Sequence, residues 1–287
     1  MVMEIKLKHV SADYRVGPMR SPLILNNVDL QIKTGSLTAV VGHTGSGKSS
    51  LLKTMNGLLM PKEGNVYIGP YEINQKINKK ELKKIRQVVG MVFQFPESQL
   101  FAETVEKDIC FGPLNFGVSL SEAKKIASEV IELVGLDQSI LSKSPHALSG
   151  GQKRRVAIAG ILAMKPDILV LDEPGAGLDP EGKKEIMNLI LRQNEEFNIT
   201  TILVTHDMED LARYMKDVIV MDKGKIVYHD SVRKLFENPK LVSDWNLDFP
   251  EARKLQLKIE QEFQIRFPSI ALTEEELANS LIEVGLI

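Results

Sequence analysis

The stretch Val40-Val41-Gly42-His43-Thr44-Gly45-Ser46-Gly47-Lys48-Ser49-Ser50 constrains this chain more than any other. Residues 42–49 fit G-x-x-x-x-G-K-[ST] at every specified position, with an apolar strand end before them and Leu51-Leu52 opening a helix after. The residue types follow from what such a turn must hold. Gly45 and Gly47 let successive backbone N–H groups converge on phosphate oxygens, and the helix behind adds the positive end of its dipole. Lys48 reaches the β- and γ-phosphates as a point charge, while the Ser49 hydroxyl ligates Mg²⁺. The expected ligand is a nucleoside triphosphate with Mg²⁺, touched by Gly42, His43, Thr44, Gly45, Ser46, Gly47, Lys48, Ser49 and Ser50.

A chain of 287 residues has room for one large α/β domain or two modest ones. With 43% hydrophobic and 26% charged residues, a well-buried core is expected. The net charge of −2, with no basic block, argues against nucleic acid as a partner. Lys79-Lys80 and Lys83-Lys84 read instead as one solvated helix face. Cys110 is the single cysteine, which excludes a disulfide within the chain and reads as a packed core thiol. Apolar runs such as 168–171 are too short to cross a bilayer, and Met1-Val2-Met3-Glu4-Ile5-Lys6 has no signal-peptide pattern. The expected location is cytoplasmic unless a partner holds the chain at a membrane.

Residues 5–10 and 28–32 alternate apolar with polar, as half-buried strands do. Between them, Gly17-Pro18-Met19-Arg20-Ser21-Pro22 reads as a loop. Tyr14, just before it, either stacks on a base or caps a strand end. A helix is expected over 51–59, a strand over 66–68, a charged helix over 79–86 and a buried strand over 88–93. Pro96 and Pro113 bracket the next helical pieces. Ser119 with Glu122 forms a capping box for a helix running to about Val134, which Gly135 ends.

A second small-residue turn, Leu148-Ser149-Gly150-Gly151-Gln152, opens a helix over 153–163. Ile168-Leu169-Val170-Leu171-Asp172-Glu173 then places two acids at the carboxyl end of a fully buried parallel strand, where ligands bind in doubly wound sheets. Asp172 would hold Mg²⁺ through its water shell, complementing Ser49. Glu173 would orient or deprotonate the attacking water. Asp179-Pro180 opens another helix as N-cap and first residue. The buried strand 200–205 delivers His206 to the same edge, in reach of a γ-phosphate. Strands 218–221 and 225–228 form a hairpin across Asp222-Lys223-Gly224.

Taken together, the phosphate loop, Gln94, the 148–152 turn, Asp172-Glu173, Gly177-Leu178-Asp179 and His206 resemble, in type and order, the motifs of ATP-binding-cassette ATPases. The resemblance covers about residues 3–235. It implies a phosphate-loop α/β cassette: a mixed sheet core with helices, an antiparallel β subdomain and a helical lobe at about 95–163. It also implies a head-to-tail pair that sandwiches ATP between one phosphate loop and the partner's Ser149, Gly150, Gly151 and Gln152. By the same resemblance Tyr14 stacks on adenine, Gln94 senses metal and water, Glu173 is the catalytic carboxylate, Asp179 links the subunits and His206 is the switch. Gly175 departs from the small hydroxylated residue or alanine usual after Glu173-Pro174.

A narrower likeness lies in Phe93-Gln94-Phe95-Pro96-Glu97-Ser98-Gln99-Leu100-Phe101, in His43-Thr44, in Met208-Glu209-Asp210 and in the tail from Asn246. These look like the ATPase subunits of energy-coupling-factor transporters, of the second, histidine-threonine type. The resemblance implies a motor for uptake of vitamins or transition-metal ions, at the cytoplasmic face of the membrane. Its partners would be a paralogous ATPase (with a homodimer as the alternative), a transmembrane coupling protein and a substrate-binding membrane component, with no nucleic acid. The cassette is expected over 3–240, and a helical appendage for pairing over 241–287, with Leu255, Leu257, Ile259 and Phe263 as its apolar strip. A soluble cassette acting on ribosomes or DNA fits less well, since each motif occurs once and no long coiled-coil insertion is present. An exporter would carry a fused membrane segment, and an ordinary importer matches the tail and the 96–101 segment less closely.

Overall fold

The computed structural model describes residues 3–14 and 23–286, so the loop expected over 17–22 lies outside the described residues. The strands are β1 (Ile5–Ala12), β2 (Leu25–Ile32), β3 (Leu37–Val41), β4 (Glu63–Ile68), β5 (Tyr71–Ile73), β6 (Val89–Val92), β7 (Ile168–Asp172), β8 (Thr200–Val204), β9 (Asp217–Asp222) and β10 (Lys225–Ser231). The helices are α1 (Lys48–Met55), α2 (Lys79–Val88), α3 (Val105–Asn115), α4 (Leu120–Leu133), α5 (Gly150–Leu162), α6 (Pro180–Phe197), α7 (Met208–Tyr214), α8 (Val232–Glu237), α9 (Pro239–Asp244), α10 (Glu251–Phe263) and α11 (Glu274–Glu283).

Two sheets form. One is antiparallel, in the order β2-β1-β4-β5; the other is mixed, in the order β10-β9-β3-β8-β7-β6. In the mixed sheet every pairing from β9 to β6 is parallel and only β10 runs antiparallel, to β9. Every residue of β3, β7 and β8 is buried, as in strands of a parallel sheet covered on both faces. Strand period divides each run between two cores. Ala39, Val41, Leu169, Leu171 and Leu203 join the core built with α3–α6. Val40, Val170, Ile202 and Val204 pack instead with Leu51, Leu52 and Met55 of α1 and with the antiparallel sheet. Cys110 is buried in the first core, as expected for a packing thiol.

Several boundaries differ from expectation for local reasons. Helix α1 begins at Lys48 and stops at Met55, not at 51 and 59. Gly57 turns left-handed at φ 66°, and Leu58 N–H returns to Lys53 O at 2.9 Å, which closes the helix. Pro113 lies inside α3 and does not follow it; Gly117, at φ 90°, is what ends that segment. Near a helix C-terminus the ring removes a single intrahelical bond, which the fold tolerates. Ser119 accepts from Glu122 N–H, half of the expected box. The complete reciprocal box stands at Ser149 and Gln152 instead. The β9–β10 turn has Lys223 at φ 46° and Gly224 at φ 77°, the left-handed pair that a tight hairpin needs.

Position 241 falls within α9, and its surroundings belong to the main core. Val242 is buried there, Trp245 lies 5.4 Å from the Tyr228 ring and Phe249 lies 6.1 Å from Phe236. Ala252, Ala271 and Leu277, with Leu281, form a separate small cluster further along the tail. Among the described residues no helix is long and apolar enough to cross a membrane.

Candidate nucleotide site

The site stands at the carboxyl edge of four neighbouring strands, β3, β8, β7 and β6. The 42–49 loop follows β3, His206 follows β8, Glu173 follows β7 and Gln94 follows β6. Residues far apart in the chain meet there because parallel strands all end on one side. They enclose a cleft of about 760 Å³ lined by Gly42, Thr44, Gly45, Gly47, Lys48, Ser49, Ser50, Gln94, Glu173 and His206, with Ile24 at its margin. His43 and Ser46 do not line it; Ser46 is buried and its N–H donates to His43 O at 3.1 Å.

Gly47 is the helix N-cap at φ 105°, and a Cβ there would stand 2.8 Å from Ile24 O, so only glycine fits. Lys48 Nζ donates to Gly42 O at 2.7 Å and His43 O at 2.8 Å, folded back over the loop. Burial pushes its ammonium below the ordinary lysine value, while the Glu173 and Asp172 carboxylates oppose that. Asp172 is also held off its usual value. Burial raises its carboxyl above the carboxylate range, helped by neighbouring Glu173 and opposed by the Ser49 hydroxyl and by Lys53 and Lys48.

Glu173 has a left-handed backbone at φ 51°, a strained state for a non-glycine residue costing about 1–3 kcal/mol. Its side chain is engaged at both oxygens. Gln94 Nε2 donates to Oε2 at 2.9 Å, and His206 Nδ1 stands 3.2 Å from Oε1. The Tyr14 ring is 37% exposed, its hydroxyl 3.3 Å from Ser50 Oγ, and Lys53 Nζ lies 5.5 Å from the ring centre. It stands beside the loop helix rather than inside the cleft.

Ser149, Gly150, Gly151, Gln152 and Asp179 are not in this cleft. The first four open α5 in the helical lobe, and Asp179 Oδ1 caps α6 by accepting from Gly182 N–H at 2.8 Å. A Cβ on Gly150 or Gly151 would meet no atom within 4 Å, and neither glycine has positive φ. Nothing within the chain requires glycine there, although each costs about 1 kcal/mol of helix propensity relative to alanine.

Two residues near the site were not singled out by sequence reasoning. Arg154 is buried and bonds to Glu97 and to the carbonyls of Pro174 and Ala176. Lys183 bridges Asp207 and Asp210. It also accounts for Gly175, where a Cβ would stand 2.9 Å from Lys183 Cγ. No local pattern marks either partner pair, since Arg154 and Glu97 are 57 positions apart.

The profile described as ABC transporter matches residues 25–176. The chain is 51% identical over 282 residues to the energy-coupling factor transporter ATP-binding protein EcfA2 of Geobacillus kaustophilus, covering 97% of this chain and 96% of that one. It is 48% identical over 279 residues to the EcfA2 of Listeria monocytogenes, covering 97% of both. Among solved structures, cbiO1 from Clostridium perfringens, part of the ABC transporter complex cbiONQ, superposes with TM-score 0.74 and 34% identity over 92% of this chain and all of that one. The dimeric ATP-binding cassette MJ0796 bound to ADP and Pi gives TM-score 0.71 and 34% identity over 80% of this chain and 99% of that one.

Proposed function

The chain belongs to the ABC transporter family, as an energy-coupling factor transporter ATP-binding protein, and from that premise we propose how its residues drive ATP hydrolysis. It is the ATP-hydrolysing subunit of such a transporter. One observation carries the catalytic assignment: Gln94, Glu173 and His206 are linked to one another and line the same cleft as Lys48 and Ser49.

The N–H groups of the 42–49 loop receive the phosphates, and Lys48 exchanges the Gly42 and His43 carbonyls for phosphate oxygens. Ser49, Asp172 and Gln94 are the residues that would hold Mg²⁺. Their donor set suits it, because Mg²⁺ takes one or two carboxylates and completes its shell with water and phosphate. Among the described residues no cluster of three or more His, Cys, Asp or Glu side chains could hold a metal alone. When bound, the ion supplies neutralisation of the β- and γ-phosphate charge. Glu173 orients the attacking water and accepts its proton, Gln94 fixes the carboxylate, and His206 meets the γ-phosphate. Tyr14 stacks on the adenine from beside Ser50.

A second cassette completes the site. Its Ser149, Gly150, Gly151 and Gln152 approach the γ-phosphate from the opposite side, and the open space in front of the two glycines supports this. Asp179 lies at the contact between the two subunits. The pairing partner is a paralogous ATPase, reinforced by the unit formed by α10 and α11. Leu255 and Phe263 are exposed there and share a face with Ile259, whereas Leu257 lines a different side with Arg253 and Glu260.

The membrane-embedded coupling protein docks in a groove of about 580 Å³ lined by Pro96, Gln99, Leu100, Phe101, Phe111 and Phe116, among others. Phe101 is 65% exposed, meeting Phe111 edge-on at 4.9 Å, so it does not fill the lobe's own core. This holds the chain at the cytoplasmic face of the membrane. The cargo, a vitamin or transition-metal ion by the family resemblance, binds a separate membrane component and meets no residue here. Purification of the tagged chain from membranes tests the reading. The expected result is a complex that hydrolyses Mg-ATP and contains a second ATPase and two membrane proteins; a chain recovered alone with full activity would refute it.

A further inference from the structure

We propose that Arg154 is a positioning residue that locks the Pro96–Gln99 turn to the loop carrying Glu173 and so fixes where the Glu173 carboxylate stands. This rests on the reading of Glu173 as the catalytic carboxylate.

Arg154 is 2% exposed. A guanidinium taken out of water is tolerated only when its donors are satisfied. Nε and Nη2 donate to the two oxygens of Glu97 at 3.0 and 2.8 Å, and Nη1 donates to Pro174 O at 3.0 Å and Ala176 O at 2.6 Å. The planar fork thus reaches two segments at once, from a third element, the helix that begins at Gly150. Although burial works against its charged form, the Arg154 guanidinium keeps the Glu97 carboxyl below its usual range.

Both segments gripped in this way are strained. Phe95 has φ 55° and Glu173 φ 51°, left-handed states for residues with side chains. Such states persist where the surroundings over-determine them. The guanidinium lies 5.8 Å from the Phe95 ring, and that ring lies against Gly177, 3.4 Å from where its Cβ would be. Gln94 enters this turn on one side and Leu100 and Phe101 leave it on the other. The 174–176 carbonyls follow Glu173 directly and lead towards Asp179. A shift of the turn must therefore either carry the Glu173 loop with it or break the hydrogen bonds of Arg154. A side chain present for packing alone would be apolar and would impose no such link.

Glu97→Gln, Arg154→Lys and the double variant, each assayed in the complex purified from membranes, test the link. Glu97→Gln keeps the shape of the turn and loses the charged fork, and it serves if Arg154→Lys fails to fold. The expected result is a KM for ATP within about twofold of the parent and a kcat lower by on the order of 10-fold or more. The double variant should be no worse than the poorer single, because both act through one clamp. Unchanged kcat in an intact Glu97→Gln complex, or losses that multiply in the double variant, would overturn the proposal. Glu173→Gln, run alongside, separates it from the reading beneath. If Glu173→Gln complexes hydrolyse ATP normally while Glu97→Gln lowers kcat, the catalytic reading of Glu173 is wrong and only the clamp as a link between the two segments survives. If Glu173→Gln abolishes turnover while Glu97→Gln hydrolyses normally, the clamp alone is wrong.

Discussion

Gln94 donates to Glu173 across 2.9 Å, joining residues 79 positions apart through the ends of two neighbouring strands. His206 stands against the other oxygen, and Glu173 lines the same cleft as the phosphate loop. The acid that would take the water's proton is thus oriented by two partners that themselves reach the cleft.

Replacing Glu173 with Gln keeps size and polarity but removes proton acceptance. ATP affinity should persist while turnover falls by roughly 10²-fold or more, with closed ATP-bound pairs accumulating. Steady-state hydrolysis by the assembled complex is the measurement, and an unchanged rate would mean the base lies elsewhere.

Lys48→Ala should act earlier, at binding. Without the ammonium the β- and γ-phosphates lose their point charge, whereas the fold loses only the bonds to the Gly42 and His43 carbonyls. A Mg-ATP titration should show strongly weakened binding with little change in melting temperature. Wild-type affinity would refute the role.

Asp172→Asn separates stability from function. Burial raises the Asp172 carboxyl in the folded chain above its unfolded value. A raised pKa contributes stability that is fully present below the unfolded pKa and is lost as pH rises through the folded one. At neutral pH the ionised group therefore destabilises the nucleotide-free chain, and the amide relieves it. The variant should melt higher than wild type at pH 8, by roughly 2 °C for each kcal/mol gained, with a smaller gap at pH 5. It should also bind Mg-ATP poorly. Melting at or below wild type at both pH values would show that the buried charge is compensated.

Two truncations should behave differently. Removing 251–287 takes away the small cluster of Ala252, Ala271 and Leu277 and should weaken pairing while leaving nucleotide binding largely intact. Removing 243–287 also strips Trp245 and Phe249 from Tyr228 and Phe236, and should lower the melting temperature as well. Sedimentation and thermal melting of both would decide; equal pairing by the shorter deletion and the full chain would give the tail another role.

Local chemistry made much of this protein legible in its sequence. The loop at 42–49 needs glycines where the backbone turns left-handed, the acids at 172–173 end an unmistakably buried strand, and Gly224 with Lys223 dictates a tight hairpin. Each of these is decided within a few residues by sterics or burial, so the residue types alone carry the information. What lay between distant segments was decided only by tertiary structure. Gln94, Glu173 and His206 meet because β6, β7 and β8 lie side by side, an order that no strand encodes by itself. Arg154 read as one more helix former, and nothing local announced that Glu97 would receive it, since its position in the lobe comes from packing. Trp245 and Phe249 likewise found partners in the main core, at Tyr228 and Phe236, which no local pattern announced. Side chains with a long reach and a choice of partners are settled by the whole fold, whereas backbone turns and buried strand ends are settled where they stand.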